Sequence, residues 1–248
     1  MHNNVTRIQN VFGFFTSVAF AVAAVIAVSV VLSAQSPSAS LELRNIQVVT
    51  GRPHYYSSKR EEYAHVKFDL DADLSTLYNW NTKQIFAYIT ASYPSSDPTT
   101  IPASEAVIWD AVIPANNAPA HPNTYIHPSL SKSNARPKTK ADRLAAQKPY
   151  PPGKSPGILK LSGQKPKYQI TDVSGKIAER SNATLTLHWN VQPWVGALVW
   201  DSRRTFGRWQ GLKGGLAGFE FPGLKGTEVK KEELRTETGG ERNRGSPA

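Results

Sequence analysis

Few residues of this chain are spaced for catalysis, and each candidate set points to a different chemistry. Gly153-Lys154-Ser155-Pro156-Gly157 has the G-x-S-x-G spacing of a nucleophile elbow. An elbow requires a strand turning sharply into a helix so that the serine is strained and presented. Pro151, Pro152 and Pro156 place this serine in a proline-rich loop instead. Asp69, Asp71 and Asp73 begin like a calcium-binding EF-hand loop, but Leu74 stands where that loop turns on glycine and Trp80 where it closes on glutamate. On a strand the three aspartates share one solvated face. The six histidines lack H-x-H or H-E-x-x-H spacing, and cysteine is absent. No metal centre, thiolate nucleophile or disulfide is therefore expected. His65 and His188 read as surface histidines on polar strand faces. No catalytic, cofactor-binding or metal-binding residue is assigned. A Ser, His and Asp set that converges only in space, as in a membrane-tethered hydrolase, stays open as an alternative.

Two N-x-[ST] sequons occur, Asn4-Val5-Thr6 and Asn182-Ala183-Thr184. Asn4 precedes an apolar run and lies too near it for a lumenal transferase. Asn182 opens a strand in the same parity as the outward Thr184 and His188, so a glycan there would project into solvent.

The apolar run, Val11 to Leu32, decides where any of this takes place. Its 22 residues hold thirteen Val, Phe, Ile or Leu, five Ala, one Gly and three hydroxyl residues, with no charge. A helix of that length reaches roughly 33 Å, enough for a hydrocarbon core of about 30 Å. A cleavable signal peptide is the rival, since Ser33, Ala34, Ser36 and Ser38 offer small residues after the run. The run exceeds the roughly 7 to 15 residues of a cleavable apolar region, which favours a retained signal anchor. Arg7 before the span orients the N-terminus to the cytoplasm and the remainder to the exoplasmic or lumenal side.

The remainder is strand-like. Ala64, Val66, Phe68 and Leu70 alternate with His65, Lys67, Asp69 and Asp71, and Leu185, Leu187, Trp189 and Val191 alternate with Thr184, Thr186, His188 and Asn190. Gln84 to Tyr93 is apolar on both faces and reads as a central strand. Leu41 to Thr50, Val107 to Ile113, Tyr168 to Thr171, Leu198 to Trp200 and Leu216 to Phe221 are further strands, and Ser75 to Asn81 is a helical turn or corner. The expected fold class is mostly β, a single N-terminal transmembrane helix followed by a lumenal β-sandwich-like domain with a long disordered insertion. The expected divisions are a cytoplasmic 1–10, a span at 11–32, a sandwich at 33–224 interrupted by a Pro/Lys-rich insertion at 114–167, and a flexible tail at 225–248.

The formal charge of +10 is concentrated in that insertion, which carries ten Lys or Arg against Asp142 alone. With only Tyr125 and Tyr150 as aromatics it lacks the stacking residues of a nucleic-acid site, and no nucleic acid is expected. It is expected to lack a core of its own. Its excess of positive charge suits anionic lipid or an acidic partner at the membrane surface.

Taken in order, these pieces resemble the subunit 3 family of the eukaryotic signal peptidase complex, its accessory glycoprotein. The carrying residues are Phe68-Asp69-Leu70, Ala72-Asp73-Leu74, Trp80-Asn81-Thr82-Lys83-Gln84-Ile85-Phe86-Ala87-Tyr88 and Ala91-Ser92-Tyr93. They continue with Val107-Ile108-Trp109-Asp110, the run from Asn182 to Val191, Pro193, Gly196 and Phe219-Glu220-Phe221-Pro222. The chain departs from the family in its basic insertion, in Arg203, Arg204 and Arg208, in the extended tail, and in Ser92 where an acidic residue is common.

The resemblance implies a non-catalytic, single-pass type II protein of the endoplasmic reticulum membrane. It would be a hetero-oligomer partner of the catalytic serine-protease subunit and the other accessory subunits, in contact with membrane lipid. Leu77, Trp80, Asn81, Lys83 and Phe86 are the candidate partner interface, with core filling as the alternative for Trp80 and Phe86. An anchored lumenal module binding glycans or peptides is a further alternative.

Overall fold

The computed structural model describes residues 3–98, 100–119, 121–131, 149–151, 153–201 and 204–225. Residues 132–148 of the expected insertion and the tail 226–248 lie outside them. The first element, α1 (Asn4–Ser29), is capped by the Asn3 side chain, which accepts from the Val5 N–H. It continues through a tighter turn at Val30–Leu32, so that Asn4–Leu32 is long and apolar enough to cross a membrane. The three hydroxyls of the run Val11 to Leu32 fit an apolar surrounding because each is satisfied within the helix. Thr16 and Ser17 donate to the Gly13 carbonyl, and Ser29 to that of Ile26.

Two sheets follow. The first orders β5 (Ile158–Gln164), β2 (Glu61–Asp73), β1 (Ser38–Gly51) and β8 (Lys213–Gly214). The second orders β4 (Ser104–Pro114), β3 (Thr82–Tyr93), β6 (Ala183–Pro193) and β7 (Val199–Trp200), with β9 (Leu216–Phe219) also paired to β6. All pairs are antiparallel except β1 with β8. The inner faces follow the alternation in the sequence: Ala64, Val66, Phe68 and Leu70 from one sheet meet Ile85, Ile89, Leu185 and Leu187 from the other, all essentially inaccessible. Phe68 meets Trp109 edge-on across the gap, ring centroids 6.2 Å apart. Mostly β with one N-terminal apolar helix is thus the architecture, as the alternation predicts.

The expectation that 114–167 has no core fails over its described parts. Thr124 bridges to Val112, Tyr125 and Tyr150 are buried, and Ile158–Gln164 forms β5 against β2. Tyr125 both accepts from the Lys160 N–H and donates to the Lys160 carbonyl, tying the insertion's two ends together. Gly157 makes this docking possible. Its carbonyl accepts from the Leu74 N–H, its φ is +98°, and a Cβ there would lie 2.8 Å from the Leu74 carbonyl carbon. Conversely, the strand expected at Tyr168 to Thr171 is only a single bridge, Ile170 to Ala64. The short turn at Ser75–Leu77 appears where a corner was expected.

Candidate functional site

The corner between β2 and β3 carries Leu77, Trp80 and Asn81, with Lys83 and Phe86 following on β3, and hydrogen bonds fix its shape. The Asn79 side chain accepts from the Asn81 N–H at 2.9 Å, and the Thr82 hydroxyl accepts from the Asn79 N–H and donates to the Leu77 carbonyl. Leu77 is fully buried and anchors the turn in the core. Asn81 is buried too, and its amide clasps the backbone of Val195 from both sides, donating to the carbonyl at 2.7 Å and accepting from the N–H at 3.1 Å. Leu77 and Asn81 therefore lie behind the surface that Trp80 presents at 65 % exposure. Lys83 is half-buried with its Nζ 5.4 Å from the Trp194 ring centroid. Replacing Asn81 by Ala removes both bonds to Val195 and leaves two backbone groups seeking water. The expected cost is about 2 kcal/mol, measured as a fall in the chemical denaturation midpoint.

Phe86 lies on the outer face of the second sheet, half-buried, and continues into a stack. The Phe86 and Tyr88 ring centroids are 5.6 Å apart, and those of Tyr88 and His188 5.2 Å. His188 Nδ1 lies 2.9 Å from an Asp201 carboxylate oxygen, with Glu105 3.9 Å from Nε2. Burial, then the Asp201 and Glu105 charges, push the Tyr88 phenol pKa upward, so this surface keeps a neutral hydroxyl. This part of the outer face thus sets an aromatic stack beside two carboxylates, a mixture suited to a protein contact.

The other candidates are dispersed. Ser155 is exposed in the loop before β5, with no helix behind it. Asp69 accepts from the Gly163 N–H and pairs with Arg44, which together hold its carboxyl below the ordinary range, while Asp71 pairs with Lys160. Asn182 is exposed with φ +57°, a left-handed conformation that asparagine tolerates well, immediately before β6.

The end of α1 is fastened to the domain: Arg208 donates to the Leu32 carbonyl, the Trp209 indole donates to that of Ser33, and Gln35 pairs with Trp209. The loop between β6 and β7 packs beside the same helix end. Its sequence signal is the charge-free run Pro193 to Trp200, with a tryptophan near each end.

The sequence matches known proteins over most of its length. The family described as signal peptidase subunit matches residues 1–126 and 152–209. The chain is 32 % identical over 212 residues to signal peptidase complex subunit 3 of Yarrowia lipolytica, covering 82 % of this chain and 92 % of that one. It is 33 % identical over 158 residues to the Saccharomyces cerevisiae protein of that name, covering 62 % of each. With the human protein it shares 26 % over 156 residues, 63 % of this chain and 61 % of that one. The gap in the family match, 127–151, falls in the basic insertion, and the chain belongs to the signal peptidase subunit family.

Proposed function

We propose that this subunit is a non-catalytic scaffold that holds and stabilises the catalytic serine-protease subunit for removal of signal peptides. It sits in the endoplasmic reticulum membrane with its N-terminus in the cytoplasm and the sandwich in the lumen. The observation that carries this reading is Trp80, a large aromatic left exposed on a corner held by hydrogen bonds of Asn79, Asn81 and Thr82. A preorganised aromatic anchor loses little entropy on docking, which is the physical signature of a contact hot spot. Trp80, Lys83 and Phe86 form the contact, with Leu77 and Asn81 holding it from behind.

Affinity purification of the full chain in mild detergent, with mass spectrometry of its partners, tests the reading. The catalytic signal peptidase subunit is the expected companion, and its absence overturns the scaffold. The double variant Trp80→Ala, Phe86→Ala is expected to lose most of that companion while its own unfolding midpoint moves little. Cleavage of a preprotein by the isolated chain would instead make it an enzyme.

Lumenal topology carries a second expectation. β6 has 11 residues, a rise of roughly 35 Å at strand spacing, and the sequon stands at its far end from the loop beside α1. Asn182 is therefore clear of the bilayer and is the proposed glycan site. In microsomes the chain is expected to shift by one glycan, Asn182→Gln to lose the shift, and Asn4→Gln to keep it. Retention of the shift in Asn182→Gln would refute the assignment.

A further inference from the structure

We propose that the β6–β7 loop, Trp194 to Leu198 together with Trp200, is a second membrane contact, seated at the headgroup–acyl boundary of the leaflet from which α1 emerges. Depth is the first argument. A Cβ placed on Gly196 would lie 3.1 Å from the Ala27 Cβ. Ala27 is five residues before Leu32, or about 7.5 Å back along a helix axis. The loop is thus level with the last turns of the apolar span. A bilayer that buries those turns brings its boundary to the loop.

Chemistry is the second argument. Pro193 to Trp200 carries no charge, yet Trp194, Leu198 and Trp200 are each at least half exposed. Tryptophan favours the membrane boundary because its ring is apolar and its N–H is wet. Lys83 lies over one face of the Trp194 ring, so the loop joins the domain through that contact as well. Between the loop and α1 is a mainly apolar crevice of about 280 Å³, lined by Ala27, Val28 and Val31 on one side and Val195 and Ala197 on the other, and reaching the Asn79–Thr82 corner. It continues the apolar surface of the span. Gly196 permits the close approach, since its φ of +118° is one that a side chain would strain.

The inference requires only that α1 spans, and does not depend on the scaffold reading. The chain has no cysteine, so a single introduced one is a unique label. Leu198→Cys and Tyr56→Cys are made in the full chain, each labelled with an environment-sensitive fluorophore in phosphatidylcholine vesicles. Tyr56 is exposed in the β1–β2 hairpin at the far end of the domain. Lipids carrying a nitroxide near the head of the acyl chain are expected to quench the Leu198→Cys label several-fold more than the Tyr56→Cys label. Aqueous iodide should show the reverse order.

Equal quenching at the two positions overturns the proposal. So does shielding of the Leu198→Cys label from both quenchers in the reconstituted native complex, because a protein would then cover the loop. Failure to recover the catalytic subunit would sink the scaffold alone and leave the quenching pattern standing.

Discussion

Replacing Arg180 by Met is expected to cost about 3–5 kcal/mol and to loosen the segment that presents Asn182. Arg180 and Asp172 form a 2.7 Å ion pair with side chains only 12 % and 7 % exposed. The same guanidinium donates to the carbonyls of Pro94 and Lys176 and lies 5.7 Å from the Tyr93 ring centroid. Methionine fills the volume but leaves a buried carboxylate with the Ser174 bonds as its main support. Burial acts to raise the Asp172 pKa, but the bonds from Ser174 and Arg180 outweigh it and hold the carboxyl below its ordinary range. A depressed folded-state pKa stabilises the protein above the unfolded value, about 3.9, and that stability is lost as pH falls through the lower folded value. Denaturation midpoints of wild type and Asp172→Asn should therefore differ most near neutral pH and converge in acid. A pH-independent difference would contradict the assignment.

Phe68→Ala is expected to have a similar effect through a different mechanism. Phe68 is inaccessible to solvent, and the β1 and β5 ladders are both irregular beside it, with shifts at Leu43/Asn45 and Phe68/Leu70. The two sheets meet here through the edge-on contact with Trp109. Truncation leaves a cavity between the sheets and costs about 3–5 kcal/mol, read by calorimetry or denaturant titration. Trp109→Ala in the Phe68→Ala background should cost less than Trp109→Ala alone, because the two rings share one contact.

Strong alternation makes β2 and β6 legible in the sequence, and the two-sided apolar run makes β3 legible as a central strand. β5 was hidden because only Leu159 and Leu161 alternate, among Lys160, Ser162, Gly163 and Gln164, inside a stretch otherwise rich in proline and lysine. Its strand character comes from pairing with β2, which is a tertiary effect. At the site, residue type identified Trp80 and Phe86 as candidates. It could not reveal that Asn81 faces inward, because that depends on Val195, 114 residues away in sequence. The Arg208 contact with Leu32 spans 176 residues and leaves no periodic trace for the same reason.

That last contact changes what kind of attachment α1 is. A domain hung on a slack tether would sample every tilt, and its partner's distance from the bilayer would wander with it. Here the helix terminus, the Gln35–Trp209 bridge and β1 follow one another without slack. The joint is a wall bracket: the bilayer sets its height and the helix sets its heading. Lengthening the segment 33–37 with glycines would leave both sheets in place, yet release the Arg208, Trp209 and Gln35 contacts and convert the bracket to a string. On the scaffold proposal, the spread of cleavage sites in a preprotein processed by the complex should then widen before the cleavage rate falls.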